Sequence, residues 1–177
     1  MEQKKISRTK KRVIRRQALT TNSIVCGTEN PASVGCIFYE LEDGEVAARF
    51  TPGIWHEGHT GVMHGGLISS VLDEVMGRSN RIYNEATGEF RAPYVTGEIT
   101  VRFLQPILIG ENMIAYGRVE REEGRKRFIS AEVVDEAGNV RAVAASTFFR
   151  VDVGEHRIDS KKSGNRGELL PGDPAEL

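Results

Sequence analysis

A His-Gly-Gly sequence directly precedes a stretch with helical periodicity, and two adjacent carboxylates lie inside that stretch. It reads His64-Gly65-Gly66 and continues to Gly77, with Asp73 and Glu74 as the acids. Glycines at a helix start let a ligand approach backbone N–H groups that lack helical partners, and such groups stabilise an oxygen that gains negative charge. Burying a carboxylate costs free energy, so carboxylates inside an otherwise apolar helix suggest a function or a partner. The combination predicts a site that polarises a carbonyl group and brings a base or nucleophile to it.

Helical geometry predicts where these groups lie. At about 100° per residue, the apolar positions cover about half of the helix circumference, and Asp73 and Glu74 fall at opposite margins of that stripe. His64 and Asp73 are separated by about 13 Å of helical rise and face opposite ways. If both serve one site, a second copy of the chain must supply one of them, as in a two-fold dimer. The apolar positions are Leu67, Ile68, Val71, Leu72, Val75 and Met76.

Strand patterns surround this single helix. Alternation is clearest after Pro93, where Val95, Gly97, Ile99, Val101 and Phe103 are predicted to face one way and the residues between them the other. Short turns at Asp43-Gly44, Glu123-Gly124 and Ala137-Gly138 make the strands they join antiparallel neighbours. A helix with so wide an apolar stripe suits an α+β domain in which about six strands wrap around it. The other predicted strands are 34–41, 45–51, 112–122, 125–135 and 139–153.

Composition divides the chain into three parts. Residues 1–17 carry eight Lys or Arg and one acid, and we expect a basic arm that is solvated or lies on the domain, with an acidic partner or anionic lipid as the alternative. Residues 18–153 form the predicted domain. Residues 154–177 are polar and rich in Gly and Pro, and we expect a disordered tail. Without the arm, the chain carries a net charge of about −8, which argues against nucleic-acid binding.

Cysteine content and hydropathy point to a cytoplasmic protein. Cys26 and Cys36 are too few for a disulfide framework, which favours free thiols in a reducing compartment. No apolar run approaches the roughly 20 residues that span a bilayer, and residues 1–17 lack the apolar core of a secretory signal.

Several motifs resemble the hotdog-fold acyl-CoA thioesterases of the phenylacetic-acid-degradation type, within the 4-hydroxybenzoyl-CoA thioesterase superfamily. The central one is His-Gly-Gly, six residues, then Asp and a Gly four positions later. Cys26-Gly27-Thr28-Glu29-Asn30-Pro31, the strand 97–106 and Ala144-Ala145-Ser146-Thr147-Phe148-Phe149 extend the resemblance over residues 24 to 153. It implies one long helix wrapped by a curved antiparallel sheet, a homodimer or dimer of dimers, and hydrolysis of a small or medium acyl-CoA without a metal or redox cofactor.

The resemblance also implies residue roles. Asp73 matches the nucleophile or the base that activates water, and the Gly65 N–H matches the donor that polarises the thioester carbonyl, with His64 beside it. Thr96 matches a Ser or Thr that positions water from the other subunit. One departure is Gly58, where several relatives have Asn or Gln, and His59 or His56 could replace that amide. Among the remaining predicted substrate contacts are Gly66 and Glu74, the latter the competitor of Asp73 for the role of acid.

Other interpretations remain open. His56, His59 and His64 suggest a metal site, but the spacing in His-Glu-Gly-His is not that of the helical zinc motif. The run Arg125-Lys126-Arg127 is either a solvated charge cluster or a contact for coenzyme A phosphates. A non-catalytic acyl-CoA-binding or sensing module is the main functional alternative. An enoyl-CoA hydratase is a weaker one, because its Asp precedes its His and here the order is reversed.

Overall fold

A seven-stranded antiparallel sheet wraps one α-helix. The computed structural model describes residues 8–80, 83–84, 89–90, 94–151 and 168–177. The strands of this sheet are β1 (Val13–Arg16), β2 (Ile37–Leu41), β3 (Val46–Phe50), β8 (Tyr94–Phe103), β9 (Met113–Glu123), β10 (Lys126–Asp135) and β11 (Val140–Arg150). Their order across the sheet is β1-β2-β3-β9-β10-β11-β8. Two short hairpins are β4 (Glu57–His59) with β5 (Val62–Met63), and β6 (Tyr83–Asn84) with β7 (Glu89–Phe90).

Helix α1 (Gly65–Ser79) packs across the sheet against β3, β8, β9, β10 and β11. The side chains of its predicted apolar stripe are buried, apart from the half-exposed Leu67, and they form the main hydrophobic cluster with the inner side of the sheet. The predicted α+β architecture is therefore confirmed. The sheet has seven strands rather than six, because Val13–Arg16 of the predicted basic arm forms a strand paired with β2. The first seven residues of that arm lie outside the described residues.

A β-bulge interrupts the alternation of β8 at Gly97. Consecutive residues of β11 pair with Thr96 and Glu98, so Gly97 has no partner across the strand pair. A Cβ atom at this position would lie 2.2 Å from the ring of Phe149, so any other residue here would require that ring to move. The extra residue reverses which side chains share a face beyond it.

The bulge corrects the predicted faces of this strand. Thr96 was predicted to face away from Val101 and Phe103, yet all three lie on the side of α1. Thr96 bonds to Asp73 of the helix, Val101 packs on the main cluster, and Phe103 lies against Gly65. Strict two-residue alternation fails here because Gly97 has no paired residue in β11.

The opposite face of the sheet carries a second apolar cluster, made by Val13, Tyr39, Leu41, Ala47, Tyr116, Val134 and Val140. Arg8 lies over the ring of Tyr116, with its guanidinium carbon 3.8 Å from the ring centre. The same guanidinium forms ion pairs of 2.7 Å with Glu45 and Glu132, which are both buried. These pairs compensate two buried carboxylates that would otherwise be costly.

Residues 168–177, which we call the clasp segment, lie along the outer edge of β1. Lys11 and Leu177 exchange two backbone hydrogen bonds of 2.7 and 2.9 Å, and Val13 N–H donates to Ala175 O over 2.8 Å. Leu177 also packs against the second apolar cluster. The structure thus differs from the disordered tail predicted for 154–177 over its last ten residues, while residues 154–167 lie outside the described part.

Asp173 holds the clasp segment by its side chain. Its carboxylate accepts hydrogen bonds from Tyr39 Oη over 2.8 Å and from Arg16 Nη1 over 3.1 Å. Partial burial alone would raise the pKa of Asp173, but these bonds and the one from Leu170 N–H lower it below its ordinary value. Burial and the Asp173 carboxylate raise the pKa of Tyr39 to about 12, so its hydroxyl remains a donor. Such partners are distant in sequence, which explains why composition alone suggested disorder.

Candidate active site

The start of α1 presents one backbone donor without a partner. His64 is the N-cap residue, and its Nδ1 accepts the Gly66 N–H over 2.9 Å. The His64 carbonyl accepts the Leu67 and Ile68 N–H groups over 3.0 and 3.1 Å. Among the described residues, no acceptor takes the Gly65 N–H. This group is therefore available to an oxygen atom of a ligand, with the positive end of the helix dipole behind it.

The β4–β5 hairpin holds His64 in place. His64 N–H donates to His56 O over 2.8 Å, and Met63 N–H donates to Ile107 O over 2.9 Å. The ring of His56 is buried, and its Nδ1 accepts the Gly53 N–H. His56 therefore supports the hairpin, whereas the predicted contact His59 is exposed on it.

Asp73 is held by a residue of β8. Thr96 Oγ1 donates to Asp73 Oδ1 over 2.8 Å, and Asp73 is half-buried. The resemblance implied that Thr96 would act from another subunit, but here it bonds to Asp73 of its own chain. One carboxylate oxygen is thereby oriented, and no described residue donates to the other. A carboxylate so placed can take a proton from water or attack a carbonyl carbon.

Glu74 belongs to a structural ion pair. Its Oε1 accepts Arg78 Nε over 2.8 Å, and Arg78 is buried over the ring of Phe38. The same guanidinium donates to Ala18 O over 2.9 Å and to Cys26 Sγ over 3.2 Å. A buried guanidinium requires a counter-charge, and Glu74 supplies it. Glu74 is thereby engaged with a buried side chain, whereas Asp73 accepts its hydrogen bond from Thr96 of β8.

The three basic residues near the start of β10 differ in how far their side chains are buried. Arg127 is buried, stacks on Tyr94 and donates to Glu122 over 2.8 Å, so its guanidinium is engaged by other residues of the fold. Lys126 is exposed beside the ring of Phe149, and the exposed Arg125 donates to Arg150 O. Contact with coenzyme A phosphates stays a prediction for Arg125, Lys126 and Arg127, of which only Arg127 is buried.

Gly65 and Asp73 lie far apart within one chain. Eight helical steps separate them, which corresponds to about 12 Å along the axis. Between them β8 runs beside the helix, with Thr96 at Asp73 and Phe103 at Gly65. Phe103 is 54% exposed, and its ring lies next to Gly65, which carries the free donor. The sequence analysis did not single out this residue.

The described residues also bear on a metal site and on a membrane-spanning helix. Within the described ranges, no three His, Cys, Asp or Glu side chains are grouped in a way that could hold a metal ion. The Nδ1 atoms of His56 and His64 are both used as acceptors for backbone N–H groups. Separately, none of the described helices has the length and apolar character needed to cross a membrane.

Comparison with known proteins shows similarity to one family. The family model described as "Thioesterase superfamily" matches residues 60–142, a range that contains α1, His64, Asp73 and Thr96. The chain is 29% identical over 114 residues to a Xenopus laevis protein named acyl-coenzyme A thioesterase THEM4. That match covers 64% of this chain and 48% of the amphibian protein, so this chain spans about half of its relative's length.

Solved structures agree on the fold. A crystal structure of a thioesterase superfamily protein superposes with a TM-score of 0.63 at 25% identity, over 72% of this chain and 59% of the other. The E. coli PaaI protein from the phenylacetic acid degradation operon superposes with a TM-score of 0.59 at 18% identity, over 67% and 81% of the two chains. The sheet and helix described above are therefore those of a hotdog fold.

Proposed function

We propose that this chain, whose residues 60–142 match the model of the thioesterase superfamily, hydrolyses the thioester of a small or medium acyl-coenzyme A. The observation that carries the proposal is the free Gly65 N–H at the start of the buried helix, together with a carboxylate oriented further along the same helix. The amphibian relative named as an acyl-coenzyme A thioesterase supports the choice of substrate class.

The proposed reaction needs water, one base and one preorganised donor. Asp73 takes a proton from water, and the water oxygen attacks the carbonyl carbon of the thioester. The carbonyl oxygen becomes an oxyanion and is stabilised by the Gly65 N–H, a contribution of roughly 3 kcal/mol to the barrier. The C–S bond then breaks, and the coenzyme A thiolate takes up the proton from Asp73. Direct attack by Asp73 would give an anhydride that water opens to the same products.

The active unit we propose is a homodimer or a dimer of dimers. Gly65 and Asp73 of one chain are about 12 Å apart along α1, so one acyl group cannot meet both in a single copy. A second copy related by two-fold symmetry would bring its own Asp73 to the Gly65 of the first. Strand β8 supports this arrangement, because it forms an edge of the sheet and most of its residues are exposed.

A cytoplasmic location fits the cysteines. Cys26 and Cys36 are both free and buried, as expected in a reducing compartment. Burial raises the pKa of the Cys36 thiol, which keeps it protonated and unreactive.

The test is hydrolysis of a panel of acyl-CoA thioesters, followed with a dye that reacts with free coenzyme A. We expect Asp73→Asn to lower the rate a hundredfold or more while the fold is retained, since the Asn side chain still accepts a bond from Thr96. Asp43→Asn, in the turn between β2 and β3, is the matched control and should leave the rate unchanged.

Two results would argue against this function. Near-normal turnover by Asp73→Asn would remove Asp73 from the mechanism. Binding of acyl-CoA in calorimetry, with no thiol released over hours, would favour the non-catalytic binding module.

A further inference from the structure

The imidazole of His64 lies between two glycines. A Cβ atom on Gly58 would be 2.9 Å from His64 Cα and 3.0 Å from its Cδ2. A Cβ atom on Gly66 would be 2.9 Å from both Cε1 and Nδ1 of the same ring. These separations are too short for any side chain, so both positions accept only glycine without movement of His64 or its ring. Glycine at both sites leaves a slot that fits the ring.

The slot determines which ring nitrogen carries the proton. His64 Nδ1 accepts the Gly66 N–H over 2.9 Å, and it can accept only when it is unprotonated. The proton of the neutral ring is therefore on Nε2, at the edge of the ring away from the backbone. His64 is exposed, so this N–H is accessible at the same end of α1 as the free Gly65 N–H.

The backbone around the slot is also constrained. His64 N–H is bonded to His56 O, and the His56 ring is bonded to Gly53 N–H. Gly61 N–H donates to Glu57 Oε1 over 2.8 Å and closes the turn of the hairpin. The hairpin therefore cannot easily withdraw from His64 if a side chain is added at position 58.

We infer that Gly58 is a positioning residue: with Gly66 it clamps the His64 ring so that Nε2–H is a fixed second donor beside the Gly65 N–H. In this chain a Cβ at position 58 would press on the residue that supplies the donor. The inference rests on the proposed thioester hydrolysis for its kinetic consequence, but the tautomer itself does not depend on a substrate.

The first readout is the nitrogen spectrum of the histidine rings. In protein labelled with ¹⁵N, at a pH where the rings are neutral, we expect His64 to show a single tautomer protonated at Nε2. Gly58→Ala should shift His64 toward a mixture of tautomers. Gly53→Ala is the matched control, because Gly53 has a φ of −97° and a Cβ there meets nothing within 4 Å. It should leave the His64 signals unchanged.

The second readout is kinetic. Gly58→Ala should lower kcat between about tenfold and a hundredfold with little change in KM, since a donor displaced by about 1 Å loses transition-state stabilisation rather than ground-state binding. Gly66→Ala, which presses on the ring from the other side, should give the same tautomer change if Gly58→Ala does not fold.

The outcomes separate this inference from the proposed function. A single Nε2–H tautomer that persists in both Gly58→Ala and Gly66→Ala would overturn the clamp, as would an equal change in Gly53→Ala. If the wild-type chain hydrolyses no acyl-CoA, the proposed function fails, but the spectra still decide whether the ring is clamped.

Discussion

The two edge strands of the seven-stranded sheet, β1 and β8, differ in whether another segment of the chain covers them. The β1 edge is covered by the clasp segment, whose backbone hydrogen bonds extend the ladder by a further short stretch. The β8 edge has ten residues, most of them exposed, and no strand of the described chain pairs with its outer side. Long uncovered edges invite pairing with another chain, and proteins usually protect them. Within the described residues, the chain closes one edge itself and leaves the other uncovered, which supports the dimer proposed above.

The closed edge is also the more charged one. Arg16 pairs with Asp173, and Lys11 forms a 3.0 Å ion pair with Glu45 and a second pair with Asp43. The open edge carries exposed apolar side chains instead, among them Val95, Ile99 and Phe103. The open edge therefore differs from the closed edge both in its uncovered backbone and in these three exposed apolar side chains.

The strongest way to break this comparison is to place a charge on each edge. Val95→Lys in β8 should dissociate the dimer and lower thioester hydrolysis by about a hundredfold, because the Gly65 donor and the partner's carboxylate no longer meet. Ile14→Lys in β1 is the matched control, since the two side chains are 47% and 44% exposed. Sedimentation velocity and the dye assay measure both effects. Equal behaviour of the two variants would refute the assignment of the open edge.

Removing the end of the clasp segment should leave the β1 edge exposed, as the β8 edge already is. Deletion of residues 174–177 removes three backbone hydrogen bonds from Lys11 and Val13. At about 1 kcal/mol each, the free energy of unfolding should fall by about 3 kcal/mol, and species larger than the wild-type assembly should appear as the concentration rises. Urea denaturation and light scattering measure the two effects. An unchanged stability would show that the clasp segment contributes nothing to β1.

Acid should loosen the covered edge before the open one. Because the pKa of Asp173 is lowered in the folded protein, its stabilising effect is complete above its ordinary pKa of about 4 and is lost as the pH falls through the folded value. We expect Asp173→Asn to cost about 1 kcal/mol at neutral pH, a difference that shrinks in acid. Urea denaturation of both proteins across this pH range provides the test. A difference that stays constant into acid would exclude Asp173 as its source.

Sequence reasoning succeeded where the pattern is local. The helix, its start at His64-Gly65 and the antiparallel strands joined by tight turns follow from periodicity and turn residues. It failed where a distant partner decides. The burial of Arg78 against Phe38 and Ala18, and the pairing of Asp173 with Tyr39, depend on residues that are distant in sequence and are brought together only by the fold.

The burial of Arg127 shows the same limit. A run of three basic residues is usually solvated, and sequence alone does not distinguish its members. Strand alternation directs Arg127 toward α1, where Tyr94, Glu122 and Asn80 receive it. Its neighbour Lys126 faces the other way and is exposed.

The bulge at Gly97 has a consequence for how this chain is compared with its relatives. A pairwise alignment that matches β8 without a gap against a strand lacking the bulge assigns every residue on one side of Gly97 to the opposite surface. Residue roles transferred across this strand must therefore be counted separately from each end, up to Thr96 and from Glu98 onward.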